Sequence, residues 1–349
     1  MNAAKSQFLS LDSDKWVKGK IVGKGSFGTV HLGMNKLTGG LFVVKSADSK
    51  AGLKSLQNEA NILENLNSRY IVRSLGKSTS TESSKGEPKM CLFMEYMAGG
   101  SISDVADKFG GILDEQVIRL YTKNILYGLD YLHKKGIVHR DIKCKNVLLD
   151  SLGNAKLADF GSAITLNGEN PYTGLVGFDK ESICGTPLWM APEVLRNEGI
   201  DFASDIWSLG CTVVEMARGR PPWSESISNP FSAVMRIACG NEIPKFPKNL
   251  SKEGMDFLIK CLDRNPRNRW TAEELLCHPF VSSDDATPNV GMECYGRSPT
   301  SILDISQCEV DCNSRILELG KKIPFSARCC EETIIGREIE RECEWITVR

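Results

Sequence analysis

The run Gly23-Lys24-Gly25-Ser26-Phe27-Gly28-Thr29-Val30 constrains the fold of this chain most, because the residues after it read as strands and not as a helix. A G-x-G-x-x-G motif in a dinucleotide-binding crossover opens directly into a helix. Here Thr29 to Gly33 reads as a strand, Leu37 to Gly40 as a turn, and Leu41-Phe42-Val43-Val44-Lys45 as a further strand. That order predicts a β-hairpin with a glycine-rich tip and excludes the helix of a dinucleotide-binding turn. Glycines at such a tip let the backbone approach a triphosphate, and their amides can hydrogen-bond its oxygens.

Lys45 ends an apolar strand, where an ammonium needs an anionic partner. The next periodic segment, Leu53 to Leu66, carries Leu56, Ala60 and Leu63 at helical spacing, with Glu59 on the same stripe. An inward carboxylate there is the natural partner of Lys45. Tyr70 to Leu75 and Met90 to Met94 read as strands, and the polar stretch Lys77 to Lys89 between them as a loop. Leu113 to Lys135 reads as an amphipathic helix, with Val117, Leu120, Tyr121, Ile125, Leu129 and Leu132 forming its apolar side.

That helix leads into His139-Arg140-Asp141-Ile142-Lys143-Cys144-Lys145-Asn146, then Val147-Leu148-Leu149, a turn at Asp150 to Gly153, and Asp159-Phe160-Gly161. Carboxylates beside apolar runs need partners, and a metal ion is one. Asp141 is placed to accept a proton and Lys143 to neutralise a phosphate oxygen, while Asn146 and Asp159 offer the hard oxygens that Mg²⁺ takes. This is equipment for phosphoryl transfer.

The two motifs, in this order and joined by a short strand-turn-strand, resemble the catalytic loop and metal-binding turn of protein kinases. The resemblance implies an α+β, two-lobe protein kinase fold: a small β-rich N-lobe with one key helix, about residues 16–97, and a larger, mainly helical C-lobe, about 98–280. Residues 1–15 are then an N-terminal extension and 281–349 a largely disordered regulatory or docking tail. ATP and Mg²⁺ are the implied cofactors. Val22, Gly23, Lys24, Gly25, Ser26, Phe27 and Gly28 would cover the nucleotide, Val30 and Val43 its ring, and Lys45, held by Glu59, its α- and β-phosphates. Met94 would lie behind the adenine, and the backbones of Glu95 and Met97 would bond it. Asp141 would be the base, Lys143 would steady the γ-phosphate, and Asn146 and Asp159 would hold the metal. His139 and Phe160 would stack with Leu63.

Lys143, two positions beyond Asp141, resembles the serine/threonine branch, and Gly185-Thr186-Pro187-Leu188-Trp189-Met190-Ala191-Pro192-Glu193 agrees with it. In that branch Thr186 bonds near Asp141 and Lys143, Glu193 pairs with a distant arginine, here Arg269, and Asp205 holds the catalytic-loop backbone. Ser182 stands where many kinases carry an activating phosphate, which Arg140 would receive. Phe42 to Ser46, Asp141 to Asn146 and Gly185 to Val194 together resemble plant MAP kinase kinase kinases with an N-terminal kinase domain. The implied partners are MAP kinase kinase substrates, an upstream activating kinase and a regulator of the tail. The alternatives are a kinase-shaped scaffold without chemistry and a Ser/Thr kinase of a neighbouring group with another substrate.

With 41% hydrophobic residues the 349-residue chain can bury a sizeable core, and a net charge of −1 implies no general attraction to nucleic acid. No apolar stretch suits a signal peptide or membrane span, and no dense basic run suits a membrane surface, so a cytoplasmic protein that also enters the nucleus is expected. Thirteen cysteines in such a chain read as reduced thiols. Six of them lie after residue 290, without paired Cys-x-x-Cys knuckles or a histidine, so no zinc site is expected there.

Overall fold

The computed structural model describes residues 15–25, 28–47, 49–80, 89–166, 185–224 and 230–282. The N-terminal part is a five-stranded antiparallel sheet in the order β1-β2-β3-β5-β4. Its strands are β1 (Trp16–Gly25), β2 (Gly28–Asn35), β3 (Leu41–Ser46), β4 (Ser74–Ser80) and β5 (Lys89–Glu95). Between β2 and β3 the side chain of Asn35 accepts from the amides of Leu37 and Thr38, closing the turn that Gly39 completes at φ 70°.

Strand alternation gives this sheet two faces. Phe42, Val44 and Phe93 point to one, where Trp16 meets Phe42 and Phe93 edge-on with ring centroids 5.8 and 5.7 Å apart. On the other, the register sets Val30 opposite Lys45 and Val43 opposite Met94, so these residues share the face turned to the larger domain half.

Helix α1 (Lys50–Leu63) begins three residues before Leu53, the start of the expected segment, and Ser49 caps it by accepting from the Gly52 amide. It ends at Leu63, short of Leu66. The expected strand at Tyr70 to Leu75 is displaced: β4 starts at Ser74 and runs through the polar stretch to Ser80. Ile71 makes only a single bridge, to Leu157. An edge strand pairs through its backbone, so β4 needs no apolar alternation along Lys77 to Ser80. Of the expected Lys77 to Lys89 loop, residues 81–88 lie outside the described residues.

The C-terminal part is mainly helical. Ser101 and Asp104 form a capping box on α2 (Ile102–Lys108), and Asp114 caps α3 (Glu115–Lys134). The face of α3 is corrected in one place: Leu120 is 53% exposed, whereas Ile118 and Leu126, one step round the helix, are fully buried. Strand β6 (Gly100–Ser101) lies beside β8 (Val147–Leu149), which pairs in turn with β9 (Ala155–Leu157). That pair and the pair of β7 (Ile137–Val138) with β10 (Ile164–Thr165) frame the two motif segments. The short helix α4 (Pro192–Leu195) precedes α5 (Phe202–Arg218), which is buried on nearly every side and anchors this half. Helices α6 (Pro230–Cys239), α7 (Lys252–Cys261), α8 (Ala272–Leu276) and α9 (Pro279–Ser282) complete it. Residues 1–14 of the expected extension, residues 283–349 of the expected tail, and Ser182 lie outside the described residues.

Candidate active site

The glycine-rich hairpin forms, with Gly23 opposite Val30 and Gly25 opposite Gly28; its tip residues Ser26 and Phe27 lie outside the described residues. Its glycines have different reasons to be there. A Cβ on Gly28 would strike the Ser46 carbonyl, so β-strand packing alone forbids a side chain. A Cβ on Gly25 would meet nothing within 4 Å, and one on Gly23 only the Val30 side chain at 3.6 Å. Those two leave backbone open for a ligand, as the sequence suggests. Lys24 and Val22 are exposed, and Val30 and Val43 are half-buried on the face they share with Lys45.

Lys45 crosses from that face to two carboxylates. Its ammonium lies 2.6 Å from Glu59 Oε2 and 2.7 Å from Asp159 Oδ1. Burial would lower the Lys45 pKa, but Glu59 and Asp159 outweigh it and keep the ammonium charged. Burial pushes the Glu59 carboxyl up, while at Asp159 the ammonium overcomes desolvation and holds the carboxyl below its usual range. Glu59 Oε1 also accepts the Phe160 amide at 3.3 Å.

At the hinge, Met94 is buried behind this pair in the main core. The Glu95 side chain turns to other partners, accepting from Lys156 Nζ at 2.8 Å and from the Arg73 amide at 2.8 Å. Its backbone alone is left for the adenine-bonding role expected of it. The Met97 carbonyl accepts from Gly100, and among the described residues its N–H makes no hydrogen bond, leaving a donor at a buried position.

Opposite stands the catalytic segment. Asp141 Oδ1 accepts from the Thr186 hydroxyl at 2.7 Å, and Oδ2 accepts from Lys143 Nζ at 2.8 Å and Asn146 Nδ2 at 2.7 Å. Lys143 Nζ also donates to Thr186 Oγ1, so carboxylate, ammonium and hydroxyl form a closed triangle. The backbone beneath is fixed by Asp205, fully buried on α5, which accepts the amides of His139 and Arg140, both at 2.9 Å. That grip holds Arg140 at φ 70°, a left-handed conformation costly for a non-glycine residue. His139 Nε2 lies 3.1 Å from the Ala158 carbonyl, and its ring meets Phe160 at 4.8 Å, edge-on. Leu63 belongs to the same core. Glu193 and Arg269 make the expected pair, bidentate at 2.6 and 2.8 Å.

The residues present fit a magnesium ion. Asn146 spends its amide nitrogen on the Asp141 carboxylate and carbonyl, which leaves its amide oxygen, a hard acceptor, without a hydrogen bond among the described residues. Asp159 is ionised and half-exposed. One carboxylate and one amide oxygen are the sparse protein set with which Mg²⁺ shares nucleotide phosphates. Among the described residues no three His, Cys, Asp or Glu side chains gather for a metal.

Two residues of this region escaped sequence reading. Glu215 on α5 accepts the Cys144 amide at 3.1 Å and the Trp189 indole at 2.9 Å, tying the catalytic loop to the Thr186 segment. The signal for it was a second carboxylate, beside Asp205, in an otherwise largely apolar helix. Asn58 on α1 touches the Asp159 turn, and nothing in its sequence surroundings marks it.

The protein kinase domain family matches residues 16–281. The chain is 43% identical over 292 residues to mitogen-activated protein kinase kinase kinase 3 of Arabidopsis thaliana, covering 79% of this chain and 42% of that protein. It is 43% identical over 288 residues to mitogen-activated protein kinase kinase kinase A of Dictyostelium discoideum, covering 80% and 29%. A shorter relative, mitogen-activated protein kinase kinase kinase 17 of Arabidopsis thaliana, is 40% identical over 295 residues, covering 83% and 76%. The chain thus spans less than half the length of the first two.

Proposed function

This chain belongs to the protein kinase domain family, and we propose that it is an ATP-dependent protein serine/threonine kinase acting as a MAP kinase kinase kinase. The observation that carries the chemical part is the Asp141–Lys143–Thr186 triangle. Asp141 offers a carboxylate oxygen, oriented on two sides, to a substrate hydroxyl; it aligns that hydroxyl and takes its proton as the oxygen attacks the γ-phosphorus of ATP and the bond from that phosphorus to the β-phosphate oxygen breaks, releasing ADP. Lys143, already at Asp141 Oδ2, neutralises charge that develops on the transferred group. Lys45 grips the α- and β-phosphates, held in place by Glu59. Magnesium, which Asn146 and Asp159 would hold, supplies charge neutralisation across the phosphates. Thr186, poised between base and lysine, suits the approach of a serine or threonine hydroxyl.

Support for the cascade position comes from the relatives, which carry the name mitogen-activated protein kinase kinase kinase. MAP kinase kinases are therefore the proposed substrates, and cytoplasm and nucleus the proposed compartments. An upstream activating kinase and a regulator of the tail complete the proposal. Among the described residues no helix is long and apolar enough to cross a membrane. The test is transfer of labelled phosphate from ATP to a kinase-dead MAP kinase kinase. Signal is expected from the wild-type chain and not from Lys45→Met or Asp141→Asn; equal signal from all three would overturn the enzyme reading.

A further inference from the structure

The side of α1 that presents Glu59 to Lys45 also presents Asn58 to the backbone of the Asp159 turn. Asn58 Nδ2 points at three carbonyls of that turn: Ala163 at 2.8 Å, Gly161 at 3.2 Å and Phe160 at 3.4 Å. With two hydrogens it bonds Ala163 best and divides the other between Phe160 and Gly161. The helix is in direct contact with the turn here, since a Cβ on Gly161 would strike Ser55 Oγ, one helical turn before Asn58.

The turn needs external support. Asp159 sits at φ 65°, a left-handed conformation that a non-glycine residue keeps only when its surroundings impose it. The turn's own hydrogen bonding is thin: Ala163 N donates to Phe160 O at 3.1 Å. Helix α1 supplies both polarities it lacks, because Glu59 accepts the Phe160 amide while Asn58 donates to the carbonyls beyond it. Lys45 and Glu59 hold Asp159 through side-chain charge; Asn58 holds the peptide chain that aims it.

We propose that Asn58 is a positioning residue that makes the ligand-holding conformation of Asp159 depend on the docking of α1, through its amide bonds to Phe160, Gly161 and Ala163. This inference rests on the kinase reading for its ligand, though not for its geometry. An amide is required at this place. Aspartate has the same shape, but it would set oxygens against three carbonyl oxygens, and alanine would take the side-chain donor from the Gly161 and Ala163 carbonyls.

The test uses the full chain as wild type, Asn58→Asp, Asn58→Ala, and Gln57→Ala as an exposed control on the same helix. Three quantities are read: hydrogen exchange in peptides spanning residues 159–166, binding of a fluorescent ATP analogue with and without Mg²⁺, and Tm. In both Asn58 variants exchange at 159–166 should rise about tenfold, the ratio set by one net hydrogen bond, while peptides of α5 stay unchanged. The Mg²⁺ concentration giving half-maximal enhancement of nucleotide binding should rise by a similar factor, with Mg²⁺-free binding within about twofold of wild type. Gln57→Ala should match wild type. Wild-type exchange and Mg²⁺ response in Asn58→Asp would overturn the proposal, and so would faster exchange throughout the domain with a fall in Tm. A wild-type chain that ignores Mg²⁺ would defeat the kinase reading instead, and the exchange arm would still decide Asn58.

Discussion

The Lys45 ammonium meets the Asp159 carboxylate at 2.7 Å although 114 positions separate the two residues. A strand of the sheet and the turn after β9 are thereby joined by charge, and Glu59 makes the junction three-way. Asp159 is kept ionised by this ammonium, so its oxygens stand ready for a cation.

Lys45→Met should therefore abolish measurable phosphotransfer while the chain remains folded. Breaking a buried pair by removing one partner costs about 3–5 kcal/mol. Here Glu59 limits the loss: burial already pushes its carboxyl up, so once the ammonium is gone it takes a proton rather than remain an unpaired charge. A destabilisation at or below the lower end of that range is expected in urea unfolding. Glu59→Gln should cost less, because Lys45 keeps Asp159.

Asp141→Asn should lower kcat about 10²- to 10⁴-fold with little change in KM for ATP, because Asp141 lies on the acceptor side of the site. Thr186 separates orientation from proton transfer. Thr186→Ser keeps the hydroxyl between Asp141 Oδ1 and Lys143, whereas Thr186→Val removes it. Steady-state kinetics should show the serine variant within a few-fold of wild type and the valine variant down by about tenfold or more, the scale of a lost charge-assisted hydrogen bond.

Arg269 is wholly buried, and besides Glu193 it donates to the carbonyls of Asp263 and Ala203. Arg269→Met leaves Glu193 charged and unpaired, so about 3–5 kcal/mol of unfolding free energy should be lost. The double variant Glu193→Leu/Arg269→Met should recover part of it, because the stranded charge is gone. Equal losses in the single and double variants would show that the carbonyl bonds, not the ion pair, dominate.

The site was more legible in the sequence than the fold that carries it. Asp141, Asn146 and Asp159 fall within one short stretch because a tight loop and a two-strand hairpin bring them together, and such local geometry leaves spaced motifs. Lys45 and Glu59 were readable because a charge on an apolar stripe demands a partner. Strand β4 was misplaced, since an edge strand made of Leu75-Gly76-Lys77-Ser78-Thr79 has no alternation to read. Leu120 was assigned to the apolar side of α3 because leucine spacing alone cannot say which side of a helix a neighbour covers. Asn58 acts on carbonyls more than 100 positions away, and backbone acceptors carry no residue signature.

Asp205 yields a prediction about acid. It is fully buried, yet it accepts the amides of His139 and Arg140 and lies 3.0 Å from His133 Nε2. Burial alone would raise its carboxyl pKa; His133, His139 and the backbone amide outweigh this and hold it below its usual value. In the window between that lowered value and about 3.9, the pKa of an exposed aspartate, the unfolded chain binds more protons than the folded one. The stability Asp205 contributes is thus complete above that window and drains away as pH falls through the folded value. Asp205→Asn has no carboxyl to titrate and loses the contribution at every pH. Urea unfolding between pH 3 and 6 should show the wild type more stable at pH 6, with the two curves converging toward pH 3. Parallel curves would mean that Asp205 holds the catalytic loop by shape alone, without its charge.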